Sequence, residues 1–538
     1  MAAEDSLHRQ SCTVINQTPV QLIELVNALN GNHISRSSFH YIIFVTVTKK
    51  IPTVIRTKNK KRNKASNTIF LCYHSSHSLP MAPSKPHIYI YIYISIITIF
   101  LLLNPTKSEE IKNLKSTTTT TQNDCEQRWI HIRKLPPKFN LDLLSNCSEY
   151  TFLDDLCPYL ANHGLGQKTH NRSHSWYRTD PSMLELIFHR RMLEYPCLTE
   201  DPKTANAVYL PYYAAFDSLR YLYGPEYNSS EQHGVHLFHF LTKENHPEIW
   251  NRHSGHDHFL VMARPALDFS QPLDNDPHLW GTSFLELPQF FNVTALTLES
   301  RAWPWQEHAV PYPTSFHPPN LALLDSWIQR VRRSKRSSLA LFAGGGGFSA
   351  TPNIRRSIRI ECDNDNNSSN VNGNSFGYEK LCETVDCSNG VCEHDPIRFM
   401  KPMLGANFCL QPPGDTPTRK STFDTILAGC IPVFFEDLSA KSQYSWHLPE
   451  NEFEGFSVTI PKEDVVFKGL KIFDVLQRIP RARVRRMREK VLELIPRVVY
   501  RKHNSSPGLR NKKDAFDLTI DGTLDKIRSR LHELDLVL

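Results

Sequence analysis

The chain has 538 residues, 40% of them apolar, which is enough for two or three domains with real cores. Its formal charge is +7, and Arg56, Lys58, Lys60, Lys61, Arg62 and Lys64 concentrate part of that excess. No aromatic residue interleaves with the run, so it offers bases no stacking platform and reads as a solvated tail; no nucleic-acid partner is expected.

Residues 1–80 show no organisation, and Met81 opens a short basic tail typical of a chain start. Residues 1–80 are therefore expected to be a disordered or spurious extension. Residues 81–104 read as a cytosolic tail and membrane anchor. Ile88–Leu103 carries no charge and would span about 24 Å as a helix, short of a bilayer core but adequate for a thin membrane. Lys85 and the basic run precede it, which leaves the N-terminus cytosolic and the remainder luminal. No small-x-small cleavage pattern follows it, which favours an anchor over a signal peptide. Residues 105–124, with Thr117–Thr121, are polar and read as a flexible stem.

From Cys125 on, short β-rich runs alternate with helical patterns, which predicts an α/β fold with mostly parallel sheets. Ala207–Pro211 and His258–Met262 read as strands. Met183–Tyr195 reads as a helix with Leu184, Ile187 and Phe188 on one face. A clear βαβ unit follows. Asn407–Gln411 is the first strand, and the Pro412–Pro417 loop cannot be helical. Arg419–Ala428 is a helix closed by Gly429, and Ile431–Phe435 is the next strand. Residues 470–500 read as helical, with Ile472, Val475, Leu476 and Ile479 in one stripe and Val491, Leu492, Leu494 and Ile495 in another.

Ten of the twelve cysteines follow residue 120, and none forms a zinc-type C-x-x-C pair. Disulfides in an oxidising compartment are expected. Seven sequons after residue 120, at Asn146, Asn171, Asn228, Asn292, Asn366, Asn367 and Asn504, point to the secretory route.

A ligand crevice belongs at the carboxyl end of the Asn407–Gln411 strand. Gly414 allows close approach of backbone to a diphosphate, and Arg419 and Lys420 can reach its oxygens. Asp424, one turn on, can accept ribose hydroxyls, as an acid does in dinucleotide folds.

Phe408–Phe435 (FCLQPPGDTPTRKSTFDTILAGCIPVFF) resembles the donor-site segment of plant exostosin-like glycosyltransferases, especially their xyloglucan galactosyltransferase (Katamari-type) group. Further segments fit the same group: 175–199, 207–224, 257–269, 309–318, 442–449 and 514–517. The resemblance spans about residues 125–530 and implies a GT-B arrangement of two facing Rossmann-like domains. Residues 125–325 would be the acceptor side and 326–465 the nucleotide-sugar side, with 466–538 as C-terminal helices bracing both. It implies an inverting transfer of galactose from UDP-galactose to xylosyl side chains of xyloglucan by a Golgi membrane protein, in company with other Golgi transferases. No metal or other cofactor is implied. The D-x-D at Asp363–Asp365 falls in a stretch, Asn364–Asn374, that reads as an inserted loop.

The donor set implied is Gly344, Gly345, Arg355, Gly414, Asp415, Arg419, Lys420, Ser421 and Asp424. The family's Phe-Ala-Gly-Ala-Pro-Arg is replaced here by Phe342-Ala343-Gly344-Gly345-Gly346-Gly347, which removes one arginine, though Arg355 matches a later one. Inversion needs a base. Asp217 and His163 are the candidates, with Asp257 a further acid in a family-like segment. Trp176, Tyr177, Tyr212, Tyr213, Trp303 and Trp305 are aromatic candidates for stacking on acceptor sugars. Two other readings stay open: the same fold with galacturonic acid, arabinose or another wall polymer, and a non-catalytic glycan-binding homologue.

Overall fold

The computed structural model describes residues 12–14, 43–46, 70–73 and 125–537, apart from 150–154, 171–173, 245, 275–278, 305, 346–352, 369–377, 388–391 and 393–395. The chain falls into two units, Met1–Lys115 and Ser116–Leu538. In the first, strands β1 (Cys12–Val14), β2 (Ile43–Thr46) and β3 (Phe70–Tyr73) pair antiparallel in the order β1-β3-β2. The expected anchor and stem lie outside the described residues, among which no helix is long and apolar enough to cross a membrane.

The second unit is built on two five-stranded sheets, both wholly parallel. One contains β4 (Ile130–Ile132), β5 (Ala207–Tyr209), β6 (His258–Pro265), β7 (Thr294–Glu299) and β8 (Glu307–Ala309), side by side in chain order. The other contains β9 (Ser338–Ala343), β10 (Lys380–Val385), β11 (Ala406–Gln411), β12 (Ile431–Phe434) and β13 (Val458–Thr459), in the order β10-β9-β11-β12-β13. Parallel strands are covered on both faces, which is why the sequence writes them as unbroken apolar runs. Phe259, Leu260, Val261 and Met262 of β6 are all buried, as are Leu339–Phe342 of β9 and Phe408–Leu410 of β11. In the second sheet the chain leaves β9 for β10 and returns past it to β11, so Leu410 stands between Phe342 and Val433. That reversal opens a crevice at the carboxyl ends of β9 and β11.

Helix α1 (Leu184–Met192) lies within the expected 183–195 span, and α2 (Ala214–Leu222) follows β5. Helix α3 (Leu321–Arg333) runs across the expected 325/326 boundary and belongs to the second sheet. Trp327 Nε1 donates to the Leu427 carbonyl at 2.9 Å. Asn320 caps it by accepting from Leu323 N at 2.9 Å.

Helix α4 (Ile354–Ser368) corrects the expected loop at 364–374: its last turns take in the Asn-rich residues 364–368. Buried Ile354, Ile358 and Cys362 repeat every four residues, and Cys362 is bonded to Cys382 on β10, so a seated helix propagates into poor helix formers.

Helix α5 (Ser421–Leu427) is shorter than the 419–428 expected, and Gly429 ends it as anticipated at φ 60°. A Cβ on Gly429 would lie 2.4 Å from Val331 Cγ1, so packing as well as conformation reserves the position for glycine.

The C-terminal stretch forms Ile472–Gln477, α7 (Arg481–Val498) and α8 (Ala515–Val537), with α6 (Lys462–Lys468) before them. Val491, Leu492, Leu494 and Ile495 are buried against α3 and α5, while Arg481, Arg483, Arg485 and Arg486 face solvent. Residues from Asp514 onward return to the first sheet's side: Arg191 of α1 donates to Asp514 at 2.6 Å, and Arg128 to Asp521 at 2.5 Å. All ten cysteines after residue 120 are paired: 125–197, 147–157, 362–382, 387–392 and 409–430.

Candidate functional site

A cleft of about 880 Å³ opens between the carboxyl ends of the two sheets. The first sheet's side supplies Asp180 and Ser182 ahead of α1, and Ala263–Pro265 at the end of β6. The second supplies Ile354 and Arg355 of α4, the Pro413–Thr416 turn, Arg419, Lys420 and the outer face of α6. The β6–β7 register shifts between Met262 and Pro265, an irregularity of the kind that re-aims side chains beside sites.

Two guanidiniums converge on the turn after β11. Arg355 donates from Nε to the Pro413 carbonyl at 2.9 Å and from Nη1 to the Gly345 carbonyl at 3.1 Å, joining the loops that follow β9 and β11. Arg419 donates from Nη1 to the Thr418 carbonyl at 2.6 Å and to Thr416 Oγ1 at 3.0 Å. A Cβ on Gly414 would fall 1.7 Å from Arg419 Nη2, so the guanidinium occupies the space a side chain would fill and only glycine leaves it there. Neither arginine has a carboxylate partner among the described residues. Burial, and then the neighbouring Arg419 cation, lower the affinity of the Arg355 guanidinium for its proton. Asp415, in the same turn, offsets part of this charge without a salt bridge to either arginine, and two guanidiniums held this close form a ready site for a dianionic group.

Of the remaining donor candidates, Gly344 donates its N–H to the Val385 carbonyl at 3.0 Å, fixing the start of the glycine loop; Gly346 and Gly347 lie outside the described residues. Asp415 lines the cleft. Lys420 lines it too, but its Nζ donates to Asp424 Oδ2 at 2.9 Å. Asp424 is buried beneath the cleft floor rather than on its surface, and burial raises its pKa. Ser421 also sits below, donating to Gln411 Oε1 at 2.6 Å. Because α5 has barely two turns, the pocket's positive potential comes mainly from side chains rather than from the helix terminus.

The acceptor-side candidates are placed elsewhere. Asp217 points into the core, where Tyr212 Oη donates to it and Arg220 pairs with it at 2.8 Å; burial raises its pKa. Asp257 is buried between Arg252 and His258. Burial opposes its charge, but the two partners prevail and hold its pKa down at about 2. His163, at φ 58°, packs edge-on against His503 on the outer surface. None of the three lines the cleft. Tyr177, Tyr212 and Tyr213 are core residues, and Trp176 packs on Phe316 and Trp327. Trp303 is 91% exposed, and Trp305 lies outside the described residues.

Sequence reading missed three cleft features. Phe467 on α6 is 76% exposed at the cleft lip. Glu299, at the end of β7, accepts from Thr418 N at 2.7 Å and Thr418 Oγ1 at 2.5 Å, so the residue before Arg419 is tied to the first sheet. Glu185, on α1, accepts from Ala215 N at 2.7 Å and Ala263 N at 3.2 Å, anchoring two cavity-wall segments. A lone acid inside an apolar helical stripe was the available signal for Glu185.

Burial pushes the Glu185 carboxyl up to about 8. Its folded value exceeds its unfolded one, so the contribution is complete below about pH 4.5 and drains away as pH rises through 8. Glu185→Gln mimics the protonated form and is expected to be the more stable chain above neutral pH, by about 2–4 kcal/mol near pH 8. Its thermal midpoint should vary less between pH 5 and 8 than the wild type's; parallel curves would show that Glu185 stays ionised.

A sequence profile for the Exostosin GT47 domain matches residues 124–475. Among curated relatives from Arabidopsis thaliana, a probable xyloglucan galactosyltransferase, GT19, is 69% identical over 413 residues, covering 77% of this chain and 93% of that protein. The xyloglucan galactosyltransferase MUR3 is 37% identical over 422 residues, covering 78% and 65%. The xyloglucan galactosyltransferase XLT2 is 35% identical over 414 residues, covering 76% of each. Among solved structures, a crystal structure of a GtfA/B complex aligns with a TM-score of 0.29 at 8% identity, covering 64% of this chain and 61% of that one.

Proposed function

The chain belongs to the exostosin GT47 family, and on that footing we propose that it is an inverting glycosyltransferase of GT-B arrangement that moves galactose from UDP-galactose to xylosyl side chains of xyloglucan. The observation that carries this reading is the pair of adjacent guanidiniums, Arg355 and Arg419, over the Gly414 turn, neither of them in a salt bridge among the described residues. A diphosphate leaving group needs such charge as its bond to the sugar breaks. Arg355, spanning the Gly345 and Pro413 carbonyls, supplies a cation where the altered glycine loop lacks one, which weighs against a non-catalytic homologue.

In this mechanism the diphosphate lies across Gly414 between Arg355 and Arg419, and Lys420 exchanges Asp424 for a phosphate oxygen. The acceptor enters from the Asp180–Arg264 wall. Residues 81–104 would hold the catalytic part in the Golgi lumen, supported by the five disulfides and by exposed sequon residues such as Asn228 and Asn504.

The deciding experiment offers a panel of sugar nucleotides with xyloglucan oligosaccharides and reads products by mass spectrometry. UDP-galactose should give a product heavier by one hexose; turnover of UDP-galacturonic acid or UDP-arabinose in its place would redirect the assignment. Phe467 is placed to stack on the nucleobase. Phe467→Ala is expected to weaken UDP binding by roughly 5–30-fold without lowering the melting temperature. Unchanged affinity would remove the base from that lip.

A further inference from the structure

Two cavities meet at one carboxylate. The main cleft and a side pocket of about 170 Å³ share Asp180, Ser182 and Arg264. The side pocket's remaining wall is apolar, formed by Leu156, Ala215, Phe216 and Leu219. The apolar face of a sugar ring fits such a wall, and its hydroxyls would meet Asp180 and Ser182 at the mouth.

The main cleft has three acidic residues in its lining: Asp180, Asp415 and Glu463. Asp415 and Glu463 belong to the side that carries the guanidinium pair. Inversion requires the attacking hydroxyl, and the base that takes its proton, to stand opposite the diphosphate. Asp180 is the acid on that opposite wall. Its nearest rivals are occupied: Arg264 and Trp280 hold Asp268, Thr418 holds Glu299, and the Ala215 and Ala263 amides hold Glu185. Asp180 Oδ1 accepts from the Ser182 amide at 2.8 Å and from the Ser182 hydroxyl. Its Oδ2 has no partner among the described residues. One oxygen is thus held and the other open to the cavity junction, an arrangement that suits a general base.

We infer that Asp180 is the catalytic base of this chain and that the Leu156–Phe216–Leu219 pocket seats the acceptor sugar bearing the attacking hydroxyl. This rests on the glycosyl-transfer reading of the cleft. The hydroxyl oxygen bonds to C1 of the galactosyl group while the C1–O bond to the β-phosphate breaks. UDP leaves with that electron pair, balanced by Arg355 and Arg419. Asp180 Oδ2 takes the hydroxyl proton and returns it to solvent.

The test uses the full-length chain with UDP-galactose and a xyloglucan oligosaccharide. Asp180→Asn keeps an oxygen for the Ser182 amide, so folding is preserved. It is expected to lower kcat by about 10²–10⁴-fold, with UDP affinity within about 3-fold and the acid-side fall of kcat with pH abolished. Asp180→Ala with azide, a nucleophile with no proton to lose, should release β-galactosyl azide and UDP. If the wild type turns over UDP-galactose and Asp180→Asn retains more than a tenth of kcat, the inference is wrong while the function stands. A slow variant with an unaltered pH profile and no azide product makes Asp180 structural and also overturns it. A wild type that is silent toward UDP-galactose refutes the functional reading instead.

Discussion

Replacing Arg419 by alanine is expected to reduce kcat/KM for UDP-galactose by about 10²–10³-fold, the scale set by removing one preorganised donor from a developing anion. Arg419 has no ion pair among the described residues to lose. It donates to Thr416 and Thr418 within its own loop, so the melting temperature should hold while UDP affinity falls. Arg419→Lys should recover little, because an ammonium lacks the planar fork that binds two phosphate oxygens at once. Gly414→Ala should reproduce much of the loss, since its Cβ would occupy the place of the Arg419 guanidinium. Calorimetric titration of UDP, with thermal melting as the control, separates these outcomes. Wild-type UDP affinity in Arg419→Ala would move the diphosphate away from this turn.

Asp514→Ala is expected to have the largest effect on stability, about 3–5 kcal/mol, seen as a fall of roughly 6–10 °C in the thermal midpoint. Arg191 is 3% exposed and Arg501 is buried, and both pair with Asp514 at 2.6 and 3.3 Å; its removal leaves two buried guanidiniums to the single carboxylate of Asp517. Asp517 shares the two guanidiniums, so the four groups form one network. Burial opposes the charge on Asp514, but the guanidiniums of Arg191 and Arg501 overcome it and hold the carboxyl well below its usual range. That contribution is therefore lost only in strong acid. Burial and then the neighbouring Asp514 raise Asp517 to about 6, so its charge costs stability as pH climbs through 6. Asp517 and Glu185 act in the same direction, and the wild type should melt higher near pH 5 than near pH 8. Asp517→Asn should flatten part of that slope; a wild type most stable at pH 8 would contradict both. Arg191 lies on α1, whose first turn adjoins Asp180, so Asp514→Ala should also raise KM for the acceptor.

Much of the fold was written locally. The runs HFLVM, ALFA and FCLQ admit few fates other than buried parallel strands, and the Pro412–Pro417 loop could only be a turn. Gly429 marked the end of α5 correctly. Local pattern failed at Asn364–Ser368, where polar residues continue a helix anchored by buried neighbours and a disulfide. It failed also at the start of α5, where Arg419 is drawn into the preceding loop.

Local patterning settles the α/β class, the closeness of Gly414 to the cations Arg419 and Lys420, and a resemblance that covers the region beyond residue 125. Those features depend on residues close in the chain, whose period and backbone chemistry act at short range. Which acids face the cleft is set by long-range packing. Asp217, Asp257 and Asp424 are turned into the core and neutralised by partners, while Asp180 and Phe467 meet across a cavity between sheets far apart in sequence. No spacing rule encodes that, because a carboxylate's role is set by what lies opposite it in space.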